Sequence, residues 1–139
     1  MVVQDKREEK TCCFYVSEFH LEMILVPYIN KKIEENITIL TEKNIRKTVE
    51  ILISKMNLPK ENKDKILKLG WDGEENIKQN SNIIIIGSKE YIKNRNKEIE
   101  DKKAVSVLDC YDFNEEKEDM SNIIKQYKNS LNTLGKNNF

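Results

Sequence analysis

Cysteine, histidine and aspartate are the side chains here that could make or break bonds, and they are few. His20 is the single histidine, the thiols are Cys12, Cys13 and Cys110, and Asp109 and Asp112 flank Cys110-Tyr111. A Cys110 nucleophile needs a proton acceptor or cation beside it to form a thiolate at neutral pH, and His20 is the one imidazole able to serve. Core packing is the simpler account of Cys110, because cysteine is among the most buried residue types. A single histidine excludes His-cluster metal sites and two-histidine catalysis. Asp109 and Asp112 with Glu18 and Glu42 could instead hold Mg²⁺ through oxygen ligands. A receiver domain, however, carries its acidic pair after strand one and its phosphoacceptor Asp after strand three, where this chain has Ser17-Glu18 and Gly87-Ser88. Solvated acids flanking a tyrosine are the simpler account.

Gly87-Ser88-Lys89 has the ingredients of a phosphate loop, a glycine for close backbone approach and a lysine for charge. Neither the Walker A pattern nor the G-x-G-x-x-G dinucleotide fingerprint occurs, which argues against ATP hydrolysis and Rossmann-type NAD binding. No cofactor and no metal are expected.

Positioning these residues requires elements, and hydrophobic periodicity supplies them. Residues 12–16, 37–40, 83–86 and 104–111 form short apolar runs of strand-forming types. Ile83-Ile84-Ile85-Ile86 lacks alternation, which implies burial on both faces in mid-sheet. Between the strands, Phe19, Met23, Val26, Ile29 and Ile33 outline a helix face, with a kink or break expected at Pro27. Ile45, Val49, Leu52, Ile53 and Met56 outline a second helix, ended by Pro59. A further piece over 60–69 stops at Gly70, whose tolerance of positive φ suits a helix C-terminus. Trp71 begins a polar loop and is expected to pack on the core. Tyr91, Ile92, Arg95 and Ile99 mark a shorter helix, and Met120, Ile123, Ile124, Tyr127, Leu131 and Leu134 mark a last one over 115–134.

Four βα units in succession predict a three-layer α/β fold, a mostly parallel sheet of four or more strands with helices on both faces. The organisation expected is a flexible N-terminal arm over residues 1–10, one α/β domain over 11–135 and a polar tail over 136–139. Strand order stays open; a 2-1-3-4 order would put the switch point between strands one and three. Ligands of open α/β sheets bind beyond the strand C-termini at such points. That rule gathers the candidate ligand-binding residues Ser17, Glu18, His20, Thr41, Ser88, Lys89, Asp109 and Tyr111. Helix N-termini there would favour anions, beside a few carboxylates. Ser17, Thr41 and Ser88 each stand where a helix needs an acceptor, so capping alone is the simpler account of them.

The chain of 139 residues is 35% charged, yet its apolar residues cluster in periodic blocks, so folding is expected. Lys+Arg and Asp+Glu are 24 each, which removes the net basic balance favouring nucleic-acid or anionic-membrane partners. Charge runs such as 60–65 and 97–103 alternate in sign, as exposed helix faces do. Three cysteines without C-x-x-C spacing, no apolar span and no h-region fit a cytoplasmic protein with reduced thiols. Adjacent strand residues point to opposite faces, so Cys12 and Cys13 would be poor partners for one another.

Phe14-Tyr15-Val16-Ser17-Glu18, then Leu25-Val26-Pro27-Tyr28-Ile29 and Ile37-Thr38-Ile39-Leu40-Thr41, resemble the opening of MEDS-type sensory domains. In that family a strand ending in a Tyr-x-Ser-Glu-like turn leads into a helix with a Val-Pro-aromatic step. The likeness covers about the first third of the chain. It implies an architecture related to the RecA and KaiC ATPases without their phosphate-binding loop, and a role in small-molecule sensing or regulation; no binding residue is carried over. The function expected is a non-catalytic regulatory or sensory module binding a small ligand or protein partner at the C-terminal edge of the sheet. Two alternatives stay open: a small enzyme using Cys110 with His20 or acids around Asp109, and a structural or assembly protein. The latter would show an exposed apolar patch near Trp71 or Tyr91, and homo-oligomerisation is open in either case.

Overall fold

The computed structural model describes residues 10–138, and the arm expected over 1–10 lies outside them except for Lys10. The elements run β1 (Lys10–Tyr15), α1 (Glu18–Lys31), β2 (Ile37–Thr41), α2 (Arg46–Lys55), α3 (Lys60–Leu67), β3 (Asn82–Ile86), α4 (Lys89–Glu98) and β4 (Ser106–Asp112). They continue as α5 (Phe113–Glu116), α6 (Met120–Ile124), β5 (Asn129–Asn132) and β6 (Gly135–Asn138). The strands form one sheet in the order β2-β3-β4-β1-β5-β6, parallel except for the β5–β6 pair. One apolar cluster holds α1, α2 and α3 against one face, and a second holds α4 and α6 against the other. This is the three-layer α/β architecture expected, with β3 wholly buried between β2 and β4.

β1 therefore neighbours β4 and β5, not β3 as a 2-1-3-4 order would have it. The chain leaving β1 re-enters the sheet at β2, beyond β4 and β3, whereas the chain leaving β4 crosses β1 to reach β5. Connections diverge between β1 and β4, and the switch-point crevice lies above their C-terminal ends.

α1 differs from expectation in two ways. Phe19 and Met23 are about half exposed, while Leu21, Ile24, Leu25, Val26 and Ile29 are buried. Two overlapping apolar stripes exist in this segment, and the broader one packs, because α1 is pressed between the sheet and two neighbouring helices. Of the kink or break expected at Pro27, the break does not occur, and the helix continues to Lys31. Pro27 sits on the exposed side, and the Met23 carbonyl it would have bonded belongs to another exposed residue, where water can satisfy it.

The α2–α3 pair is closed by Trp71, which is fully buried and donates its indole N–H to the Ile66 carbonyl at 2.8 Å. Arg46 donates to the Leu67 and Leu69 carbonyls at 2.5 and 2.7 Å, tying the start of α2 to the end of α3. Gly70 has no positive φ, contrary to expectation. It is needed for space: a Cβ there would lie 2.4 Å from the Glu75 Cβ. Glu75 in turn covers the outer edge of β2, its Oε1 accepting the Ile39 N–H at 2.8 Å and the Gly70 N–H at 3.2 Å. Glu75→Ala strands both donors and is expected to cost about 1–3 kcal/mol in urea unfolding, whereas Glu75→Gln, which keeps an acceptor, should cost less.

The last helix expected, 115–134, is replaced by two short helices and a β5–β6 hairpin, which also takes in residues 136–138 of the expected tail. Tyr127, Asn129 and Leu131 are buried and alternate with exposed or half-exposed neighbours, a period of two. β5 pairs with the flank of β1 that β4 leaves open, and that pairing satisfies backbone groups a helix would have left bare. Asn129, Ser130 and Asn132 are also weak helix formers.

Candidate functional site

The turns following β1, β2, β3 and β4 meet around a cavity of about 220 Å³ at the C-terminal edge. Four of the eight candidates line it: Ser17, Glu18, Thr41 and Ser88. Tyr15 and Asp112 bring the ends of β1 and β4 to it, so the cavity sits at the switch point. Capping explains two of these residues. The Ser17 hydroxyl accepts the His20 N–H at 3.1 Å, and Ser88 accepts the Tyr91 N–H at 3.1 Å. Thr41 does not cap α2. It is buried, its hydroxyl donates to the Lys43 carbonyl at 2.6 Å, and the helix starts later with Ile45 at its N-cap.

His20 belongs to the same cap. Its Nδ1 accepts the Val16 N–H at 3.0 Å, reciprocating the bond from Ser17 in the manner of a capping box. That bond occupies Nδ1. His20 is not among the residues lining the cavity.

The Gly87-Ser88-Lys89 turn is filled from within. The Glu42 Oε1 accepts the Ser88 N–H at 2.9 Å, taking the place an anion would take at the start of α4. A Cβ on Gly87 would lie 2.6 Å from the Tyr91 ring and 2.9 Å from that carboxylate, so glycine is required for the close approach. Lys89 turns away to pair with Asp119 at 2.7 Å. With Glu18, Glu42, Asp112 and Glu115 against Lys43 alone, the lining is rich in acceptors. These carboxylates work against the preference for anions expected from helix N-termini.

Strand alternation separates the remaining candidates. Asp112 reaches the edge cavity, whereas Asp109 and Tyr111 lie on the face of β4 that packs against α4 and α6. Asp109 is fully buried and accepts from Tyr127 Oη at 2.5 Å and from Asn96 Nδ2 at 3.2 and 3.3 Å. The Lys10 ammonium is 3.7 Å away, and the Tyr127 and Tyr111 hydroxyls meet at 2.6 Å. Burial pushes the Asp109 carboxyl above its ordinary value, against the opposing pull of Lys10, Tyr127 and Asn96. Burial also raises both tyrosines. Asp109 and Asp112 thus cannot share one cation, and among the described residues no three His, Cys, Asp or Glu side chains are grouped to hold a metal.

The thiol route fares no better. Cys110 is wholly buried beside Cys13, and burial, with Cys13, Asp109 and Cys12 nearby, drives its thiol well up. Cys12 lies on the opposite face, pushed up to about 12 by burial first and by Cys13 and Asp109 next. No water or substrate reaches a thiolate here. All three cysteines are free and buried, so a thiol-specific disulfide reagent is expected to label none in the native protein and all three in guanidinium; rapid native labelling of Cys110 would contradict this.

Trp71 is buried and Tyr91 packs against the core, so the apolar patch an assembly protein would need is not at either. Among the described residues the exposed large apolar side chains are Val16, Phe19, Met23, Ile51, Val105 and Leu134. Residues missed in the sequence include Glu115 at the edge cavity and Lys10, Asn96 and Tyr127 around Asp109. Among the described residues no helix is long and apolar enough to cross a membrane. Comparison with family models, curated proteins and solved structures finds no match.

Proposed function

We propose that this chain is a non-catalytic regulatory or sensory module that binds a small ligand at the C-terminal edge of its sheet. The observation that carries the reading is the cavity at the β1–β4 switch point, lined from four successive strand-to-helix turns. Acceptors predominate there, so the ligand presents hydrogen-bond donors or a positive charge. A protein partner inserting one basic side chain meets the same requirement. The β1–α1 turn consists of Val16 and Ser17 alone, too short for a phosphate-cradling loop. That fits a sensory domain of the MEDS type, which the first third of the chain resembles.

Thermal-shift screening against amines, amino acids, nucleosides and other metabolites tests the proposal. A ligand present at a hundred times its Kd adds about 2.7 kcal/mol of stability. Hits are expected among cationic and donor-rich compounds, weakened several-fold in Glu18→Gln/Glu115→Gln. No stabilisation across a broad library, or hits indifferent to that double variant, would count against the small-ligand reading.

A further inference from the structure

Four of the six exposed large apolar side chains among the described residues gather along α1 and the hairpin beside it. Val16, Phe19 and Met23 are 54, 46 and 53% exposed, and they run onto and along α1 at steps of three and four. Pro27 and Lys31, also exposed, continue the line by two further steps of four, so the outward stripe of the helix is Phe19, Met23, Pro27 and Lys31. At its far end Pro27 and Lys31 border a hollow of about 370 Å³ against the β5–β6 hairpin, and the hairpin adds the fourth side chain, Leu134, 94% exposed. Scattered apolar residues on a surface need no explanation, whereas a continuous row of them marks a contact surface.

The stripe matches itself when reversed. Its four positions are centred on Leu25, so a two-fold axis at that level, with the helices antiparallel, sets Met23 against Pro27 of the second copy and Phe19 against Lys31. Phe19 then reaches the hollow bordered by Lys31 and Leu134, and an aromatic ring seated in a pocket is the usual anchor of an interface. The charges favour the same arrangement. α1 starts at Glu18, on a rim where Glu18, Glu42, Asp112 and Glu115 outnumber Lys43. It ends at Lys31 and Lys32, which with Lys136 outnumber Glu35 around the hollow. Reversal brings the acid-rich start of each helix to the lysine-rich end of the other, and neither Glu18 nor Lys31 forms an ion pair among the described residues.

We propose that the chain forms a two-fold homodimer through α1, Phe19 of each copy entering the hollow between α1 and the hairpin of the other. The association does not depend on ligand binding at the edge cavity. Four exposed apolar side chains a side are few beside the about 20–30 residues of a tight interface, so dissociation at roughly 10–200 µM is expected. Sedimentation equilibrium of the full chain without ligand, from about 5 µM to about 1 mM, tests this, with the mass expected to rise from one chain to two. Met23→Glu sets two carboxylates on apolar surface beside the axis and should keep the chain monomeric, with its circular dichroism unchanged; Met23→Gln should weaken the dimer several-fold. Val105→Glu, at an exposed apolar residue off the stripe, should leave the dimer intact. Glu18→Lys and Lys31→Glu should each weaken it several-fold, and Glu18→Lys/Lys31→Glu, which exchanges the charges, should recover most of the loss. A monomer throughout the range, a dimer that tolerates Met23→Glu, or an exchanged pair no better than its single variants would overturn the proposal.

Discussion

Trp71→Ala is expected to destabilise the protein by about 3–5 kcal/mol, a large share of the roughly 5–15 kcal/mol that holds a domain together. The indole is fully buried among α1, α2 and α3, and its N–H satisfies the Ile66 carbonyl near the end of α3. Its own carbonyl accepts the Ile45 N–H at 2.9 Å, one residue before α2 begins. Removing the ring leaves a cavity where two helices and the route to the β2 edge are joined. Trp71→Phe keeps much of the volume and loses the hydrogen bond, so a smaller loss, about 1–3 kcal/mol, is expected. Trp71 is the only tryptophan, so urea unfolding must be followed by circular dichroism. A loss under 1 kcal/mol in Trp71→Ala would contradict this role.

The second large effect concerns pH. Glu22 is buried between α1 and α2; its Oε2 accepts from Thr48, and its Oε1 has no partner. Burial raises its carboxyl from 4.5 to about 7, Thr48 pulling down and Glu18 adding a smaller push up. In this window the unfolded chain has released the proton that the folded chain keeps, so stability falls as pH rises from about 4.5 to about 7. The shift corresponds to roughly 3 kcal/mol, fully present below pH 4.5 and lost above pH 7. Glu22→Gln holds a neutral side chain at every pH. It should match the native protein near pH 4.5 and exceed it by roughly 3 kcal/mol at pH 8. Urea midpoints at both pH values decide the matter, and a difference that does not change with pH would rule it out.

Local features of the chain were legible where local physics decides. Ile83 to Ile86 could only be a strand buried on both faces, and the hydroxyls of Ser17 and Ser88 could be assigned to caps from their positions alone. Features that depend on distant partners were not. Phe19 and Met23 have helical spacing, and only the arrangement of α2 and α3 selects the other stripe of α1. Residues 127–131 satisfy both a helical period and a period of two, and the open flank of β1 decides between them. Asp109 and Asp112 could have been parted by alternation along their strand. That Glu42 would fill the Gly87-Ser88 turn could not be foreseen, because it requires knowing that β2 lies beside β3. The same dependence hid the partners of Asp109, since Asn96 comes from α4 and Tyr127 from the loop before β5, on either side of it in sequence.

The edge cavity and the Asp109 chain differ in kind. The first is open, acceptor-rich and built from turns; the second is closed, with each polar group engaged by another. Binding at the switch point is the claim on which the functional reading rests. Its most direct test is a ¹H–¹⁵N amide titration of the intact chain with the strongest cationic or donor-rich compound from the thermal screen. The proposal predicts saturable shifts concentrated at Ser17, Glu42, Gly87, Ser88 and Asp112. Shifts confined to other surfaces, with those five amides unmoved at saturation, would contradict it.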